Sequence, residues 1–347
     1  MYEWKLFKDI TTYYNQFLNS KSKYDLILTK NSNGDLQTKI KMDDMTFAIN
    51  INHMKSTQIT NTFKNMIVPI NDFYETKKMI KGIKQLDVKI ENDNFVINTD
   101  KECEFKIPCK KALFTDCNYE KMGEVNFESL KYALFFNSNS AKSGIAEFDK
   151  NISMMIKNNE LYLNSYNTGI YVGNKIEIEN GKDCSFLISY DYISKLKKWL
   201  DYIKKVGESR LIDDTINLLF TNNRLMLTNQ FVSIEIPIKI DKTLGEKYKA
   251  MTDFNYPKKE DFKFSKIRDL AIESETKKEK ITDVKEIFKV ESFFYRPLFS
   301  GLIKQLVSFD LDVNCSIINS NELVLELNTE ILDLKSKILL FGIVSKK

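Results

Sequence analysis

One unit of about 50 residues recurs along this chain, and any fold must be assembled from copies of it. The unit is clearest in residues 67–108, IVPINDFYETKKMIKGIKQLDVKIENDNFVINTDKECEFKIP, and in residues 185–237, SFLISYDYISKLKKWLDYIKKVGESRLIDDTINLLFTNNRLMLTNQFVSIEIP. Each reads as a short strand, an amphipathic helix, a strand, an Asn-containing turn, a strand, and a last strand ending in Ile-Pro. Residues 125–178 repeat the order with a longer connection after the helix. Residues 293–344 form a further copy whose helix opens on Pro297, a residue suited to a first helical turn because its missing N–H would have no partner there. Residues 3–51 fit as well, with a helix over 9–19 capped by Asp9 and a hairpin at Asn33-Gly34. Space for a sixth copy remains at 254–292, where a charge run over 273–286 and weak alternation predict a solvated loop.

One helix cannot cover the apolar face of several strands, so neighbouring copies are expected to join, placing two helices against one continuous antiparallel surface. The fold class is therefore α+β. The domains run over 1–111, 119–241 and 253–347, the last with a degenerate first half. A chain of 347 residues, 43% hydrophobic and 29% charged, suits several globular domains, and 11 glycines with 5 prolines leave little room for long flexible linkers. No apolar run reaches the ~18 residues of a membrane span, and the start, MYEWKLFKDITTYY, lacks a secretion signal, so a cytoplasmic protein is expected.

Catalysis finds little support. There is one histidine, His53, and no glycine-rich phosphate loop, nucleophile elbow or metal-ligand cluster. The pairs Asp43-Asp44 and Asp213-Asp214 sit between strands, where acidic residues serve turns. Zinc held by Cys103, Cys109 and Cys117 is conceivable, but their irregular spacing favours reduced structural cysteines. No catalytic residue, metal or cofactor is expected.

Charge is distributed unevenly. Residues 72–84 and 189–206 together carry a formal +5, against +4 for the whole chain. Both segments are helical in pattern. With residues placed 100° apart, the second puts Tyr192, Ile193, Leu196, Trp199, Leu200, Ile203 and Val206 on one side, Lys197, Lys198, Lys204 and Lys205 opposite, and Lys195 at the margin. Ser189 or Asp191 can cap it. A solvated face is the plain explanation of such lysines; a phosphate-facing surface is the functional one.

The order of these units resembles that of the bacterial sliding clamp, the β subunit of DNA polymerase III. The resemblance is most specific in 67–108 and 125–237, where ALFFNSNSAKSGIAEF with ELYLNSYNTGIYVGNKIEI is similar to one clamp half-domain and SFLISYDYISKLKKWL with LLFTNNRLMLTNQFVSIEIP to the next. It implies a head-to-tail homodimer closing a ring around double-stranded DNA, gripping it without regard to sequence, and tethering polymerase and clamp loader through short peptides. Lys77, Lys78, Lys81, Lys84, Lys197, Lys198, Lys204 and Lys205 would then face phosphates, with Lys131 and Lys304 on the polar faces of weaker copies. Lysine suits sliding, since a flexible point charge prefers no register, whereas the arginine fork is directional. A partner-peptide cleft would fall at Thr168, Gly169, Ile170, Tyr171 and Val172 with Leu340, Phe341, Gly342, Ile343 and Val344. There the chain has N-T-G-I-Y-V and L-F-G-I-V in place of the family's T-D-G-H-R-L-like turn and Met-Pro-Met/Val-Arg-like tail, and the competing reading is core at a sheet edge. The alternative function is a monomeric β-rich DNA-binding or protein-interaction module that closes no ring.

Overall fold

The computed structural model describes residues 4–18, 24–30, 36–51, 66–81, 86–99, 103–111, 118–142, 150–167, 170–210, 214–221, 223–229, 231–240, 277–281, 302, 313–319 and 323–341. The first repeat is α1 (Trp4–Asn15), β1 (Asp25–Lys30), β2 (Leu36–Met42) and β3 (Met45–Ile51). The second is β4 (Met66–Pro69), α2 (Ile70–Met79), β5 (Leu86–Glu91), β6 (Asn94–Thr99) and β7 (Glu104–Pro108), followed by the short β8 (Lys110–Lys111). The third is β9 (Glu120–Asn126), α3 (Phe127–Lys142), β10 (Asn151–Lys157), β11 (Glu160–Asn167) and β12 (Ile170–Glu177). The fourth is β13 (Cys184–Ser189), α4 (Tyr190–Arg210), β14 (Thr215–Thr221), β15 (Arg224–Thr228) and β16 (Val232–Pro237). Then come β17 (Lys277–Ile281) and the final copy's β18 (Val313–Asn319), β19 (Leu323–Ile331) and β20 (Leu334–Phe341).

Three expectations are corrected. Helix α1 begins at Trp4, so Asp9 lies inside it rather than at its start: Trp4 and Leu6 extend the apolar periodicity toward the N-terminus past the polar residue. The charge run is not wholly loop, because Lys277–Ile281 forms β17, antiparallel to β18 in register Lys277↔Ile317 to Ile281↔Val313. Its lysines are compatible with a strand because β17 ends the sheet among the described strands, and charge on an edge strand discourages unwanted pairing. The joining of copies also differs. Strands of the first repeat pair with those of the fourth, through β3–β16 in register Val232↔Ile49 to Glu235↔Thr46, and strands of the third with those of the last, through β12–β20 in register Ile170↔Leu340 to Ile176↔Leu334. Consecutive copies also join antiparallel, as expected, through the leading strand of the later copy: β4 pairs with β1, and β13 with β10. Alternation marks which residues become strands but carries nothing about which edges meet. Pro297, the Asn33-Gly34 turn and Asp213 lie outside the described residues.

The chain clusters into two compact units, one comprising Met1–Glu120, Lys198–Asp213 and Leu219–Pro237, the other Lys121–Lys197, Asp214–Leu218 and Ile238–Lys347. In the first, strands run β8-β4-β1-β2-β3-β16-β15, with β5-β6-β7 as a separate sheet. Its core gathers the rings of Tyr13, Tyr14, Phe17, Phe47 and Tyr202, with Phe17 stacked on Phe47 at 4.1 Å. Two buried hydroxyls there have partners: Tyr13 donates to Ser233 O at 3.1 Å and Tyr14 to Thr38 O at 2.6 Å. In the second, the sheet runs β13-β10-β11-β12-β20-β19-β18-β17, and α3 packs across β10, β11, β12 and β20. A buried polar chain threads this core: Asn137 donates to Ala133 O at 2.9 Å and accepts from Ser165 at 2.7 Å, and Asn174 accepts from Ser336 at 2.6 Å. The Ser336–Asn174 bond crosses from β20 to β12 and holds only in one register, so it specifies that pairing more sharply than apolar contacts could.

Short turns follow local chemistry. Asn92 and Asp93 (φ 49° and 59°) and Asn158 and Asn159 (φ 53° and 60°) occupy the left-handed region that two-residue hairpins require and that Asn and Asp tolerate. Gly123 has φ 150°, and a Cβ there would come within 2.7 Å of Ile178 Cδ1 and 2.9 Å of Glu179 O, beside the reciprocal Glu124–Glu179 backbone bonds. Gly123→Ala is expected to cost about 1–3 kcal/mol, read as a lowered urea midpoint; an unchanged midpoint would mean that β9 can shift away.

Candidate nucleic-acid interface

Helix α4 turns Ile193, Leu196, Trp199, Leu200, Tyr202 and Ile203 inward, each at most 6% exposed. Ser189 Oγ caps it, accepting from Asp191 N at 3.4 Å. Lys198, Lys204 and Lys205 stand exposed opposite, with Lys198 Nζ 3.4 Å from Gln16 O. On α2, Ile70, Phe73 and Thr76 are buried, while Lys78 is exposed and Lys81 is exposed just beyond the helix. Lys78 pairs with Glu75 at 2.6 Å, but at 71% and 60% side-chain exposure such a pair contributes little and opens readily to a competing anion. Two lysines are less free. Lys77 Nζ donates to Thr11 Oγ1 on α1, and Lys197 Nζ donates to Ser138 Oγ on α3 at 2.5 Å while sitting 4.4 Å from the Phe135 ring centroid.

Lys131 needs correction. It is only 7% exposed, with its ammonium 6.0 Å from the Phe127 ring centroid and 5.8 Å from that of Phe135. No described side chain of α3 is fully exposed, because Ser129, Asn137, Ser138 and Ser140 on its polar positions are themselves buried. Lys131 is thus buried with its neighbours rather than standing on a solvated face. Lys84 and Lys304 lie outside the described residues.

The peptide cleft is corrected at every position whose side chain is described. Ile170, Tyr171 and Val172 are 0% exposed and Leu340 is 1% exposed. The backbone of Ile170 stands opposite that of Leu340 in the β12–β20 ladder. Tyr171 donates to Asn164 Oδ1 at 3.2 Å, and its ring lies over Gly173, whose absent Cβ leaves the space. These are core residues. Thr168, Gly169, Gly342, Ile343, Val344 and the side chain of Phe341 lie outside the described residues.

The acidic pairs behave as turn residues where they are described. Asp43 has φ 51° between β2 and β3, Asp44 O accepts from Arg224 Nη2 at 2.5 Å, and Asp214 O accepts from Phe127 N at 2.6 Å. Asp214 also lines a cavity of about 580 Å³ in the second unit with Glu124, Glu160, Glu177, Glu179 and Asp333. Sequence reading missed this acidic hollow because its members come from five separate strand ends. Burial alone would raise the Glu160 carboxyl, but hydrogen bonds from Lys175 and Tyr162 hold it below the usual value. Such a hollow repels phosphate. Cys109 is structural: its thiol donates to Ile107 O at 3.3 Å and burial pushes its pKa up to about 11, while Cys103 is exposed and Cys117 lies outside the described residues. No described helix is long and apolar enough to cross a membrane.

Repeated strand–helix–strand units, joined through sheets that run from one repeat to another, with lysine-bearing helices, define the architecture of the DNA clamps. No protein-family model and no curated protein sequence matches the chain. Among solved structures, it is similar to the DNA polymerase sliding clamp of Bacillus subtilis, at TM-score 0.63 and 9% identity, covering 99% of this chain and 98% of that one. It is similar to the DNA polymerase III β chain of Streptococcus pneumoniae, at TM-score 0.64 and 11% identity over 99% and 98% of the two chains. The Helicobacter pylori β clamp matches at TM-score 0.62 and 14% identity over 99% of each. The chain has the fold of the bacterial DNA polymerase III β subunit.

Proposed function

We propose that this chain is a DNA sliding clamp, a processivity factor in DNA replication that encircles double-stranded DNA as a homodimeric ring and tethers polymerase and clamp loader. The observation that carries the reading is a clamp fold spanning 99% of the chain whose α2 and α4 present exposed lysines. Phosphate contacts by Lys78, Lys81, Lys198, Lys204 and Lys205 would be independent of sequence and would exchange without a preferred register. Lys84 and Lys304 belong to the same reading. The ring would be built from the three domains 1–111, 119–241 and 253–347, and the role is binding rather than catalysis. Polymerase and loader would be engaged through short peptides, at positions other than the core residues Ile170, Tyr171, Val172 and Leu340.

Topology tests this directly. The expected solution mass is about twice the 40.6 kDa of one chain. Protein loaded on a nicked circular duplex should stay bound through a high-salt wash and be released when the circle is linearised. A monomer whose retention is the same on circular and linear DNA would favour the non-encircling alternative.

A further inference from the structure

The Lys-Lys pair of α2, Lys77-Lys78, stands seven and eight residues after the helix start at Ile70; in α4, Lys197-Lys198 stands at the same distance from Tyr190. The two pairs are thus equivalent positions of the repeat, 120 residues apart. Their surroundings are equivalent too. In both helices the first lysine reaches a buried hydroxyl on the preceding helix: Lys77 donates to Thr11 of α1, which is 0% exposed, and Lys197 donates to Ser138 of α3, which is 3% exposed. In both, the second lysine is exposed.

We propose that this dipeptide divides its labour: Lys77 and Lys197 are positioning residues that clip each helix to its neighbour, while Lys78 and Lys198 meet phosphate. The second half of this statement rests on the clamp reading; the first half does not. The hydrogen-bond accounting supports a clip. Ser138 Oγ donates its own proton to Phe135 O at 2.7 Å, so its lone pairs are left for the ammonium of Lys197. The Phe135 ring at 4.4 Å offers that ammonium a second, electrostatic contact. A charge-assisted bond to a buried, immobile hydroxyl is stronger and more directional than a contact with a solvated phosphate. It holds the side chain against the neighbouring helix, while the adjacent Lys78 and Lys198 are exposed. The second occurrence at the equivalent position, built with Thr in one repeat and Ser in the other, makes a chance side-chain contact a poor explanation.

The test compares variants that remove the same charge from adjacent positions. Binding of the full-length protein to a duplex would be followed against salt, with melting temperature measured in parallel. Lys78→Met with Lys198→Met is expected to lower the slope of log affinity against log salt by up to ~1.8, at ~0.9 per phosphate contact, and to leave melting unchanged. Lys77→Met with Lys197→Met should leave the slope unchanged and lower the melting temperature. Thr11→Val with Ser138→Ala removes both hydroxyl acceptors but keeps both lysines; ammoniums no longer bonded to those hydroxyls should steepen the slope, which a purely structural loss would not do. Finally, Ser138→Ala combined with Lys197→Met should lower melting by less than the sum of the two single variants, because the shared bond can be lost only once. Equal slope losses from the two lysine doubles, an unmoved slope after the hydroxyl changes, or additive melting losses would each overturn the proposal. If the wild type binds no DNA, the clamp reading and the phosphate role fall together, and the clip stands or falls on the melting comparison.

Discussion

Replacing Lys78, Lys81, Lys198, Lys204 and Lys205 together by glutamine will flatten the salt dependence of DNA binding while leaving the fold intact. All five are exposed, so the exchange removes no buried contact. Each phosphate neutralised by a lysine releases condensed counterions, which steepens the slope of log affinity against log salt by about 0.9 for duplex DNA. Five lost contacts therefore reduce the slope by up to about 4.5, so that over a fourfold rise in salt the variant loses about 500-fold less affinity than the wild type. At low salt the wild type should bind far more tightly; at high salt the two should converge. Equilibrium titration on a duplex across a salt series measures this. A variant that binds as the wild type does at every salt would remove α2 and α4 from the DNA surface.

Tyr171→Ala will unfold the second unit's core rather than silence a docking site. The ring is completely buried, packed over Gly173 with its hydroxyl on Asn164, and burial pushes the phenol's pKa far above its usual value. Truncating a buried aromatic leaves a cavity and typically costs about 3–5 kcal/mol. Tyr171→Phe keeps the ring and removes only the donor to Asn164, so the expected loss is smaller, about 1–3 kcal/mol, from an amide oxygen left unpaired in the interior. Urea unfolding separates the two variants by their midpoints. A Tyr171→Ala protein as stable as the wild type, but defective only in binding a polymerase peptide, would return this residue to a cleft.

Sequence alone determined the parts. The alternation in VKIENDNFVINT became β5 and β6 with their Asn-Asp turn, because side-chain period and turn chemistry are local properties of a few residues. The inward stripe of α4 was legible for the same reason: 3.6-residue periodicity separates Trp199 and Leu200 from Lys204 and Lys205 before any partner is known. Tertiary structure decided what periodicity cannot hold. The pairing of β3 with β16 and of β12 with β20 joins segments more than 150 residues apart, and every strand edge offers the same N–H and C=O groups to any partner. Helix α3 carries serine and asparagine on its polar side, which reads as solvated until the hydroxyl and amide partners that bury it are in place, and Lys131 goes inward with them. Lys77 and Lys78, adjacent and identical in chemistry, differ only because the buried hydroxyl of Thr11 lies within reach of the first, and that distance is set by how α1 packs on α2.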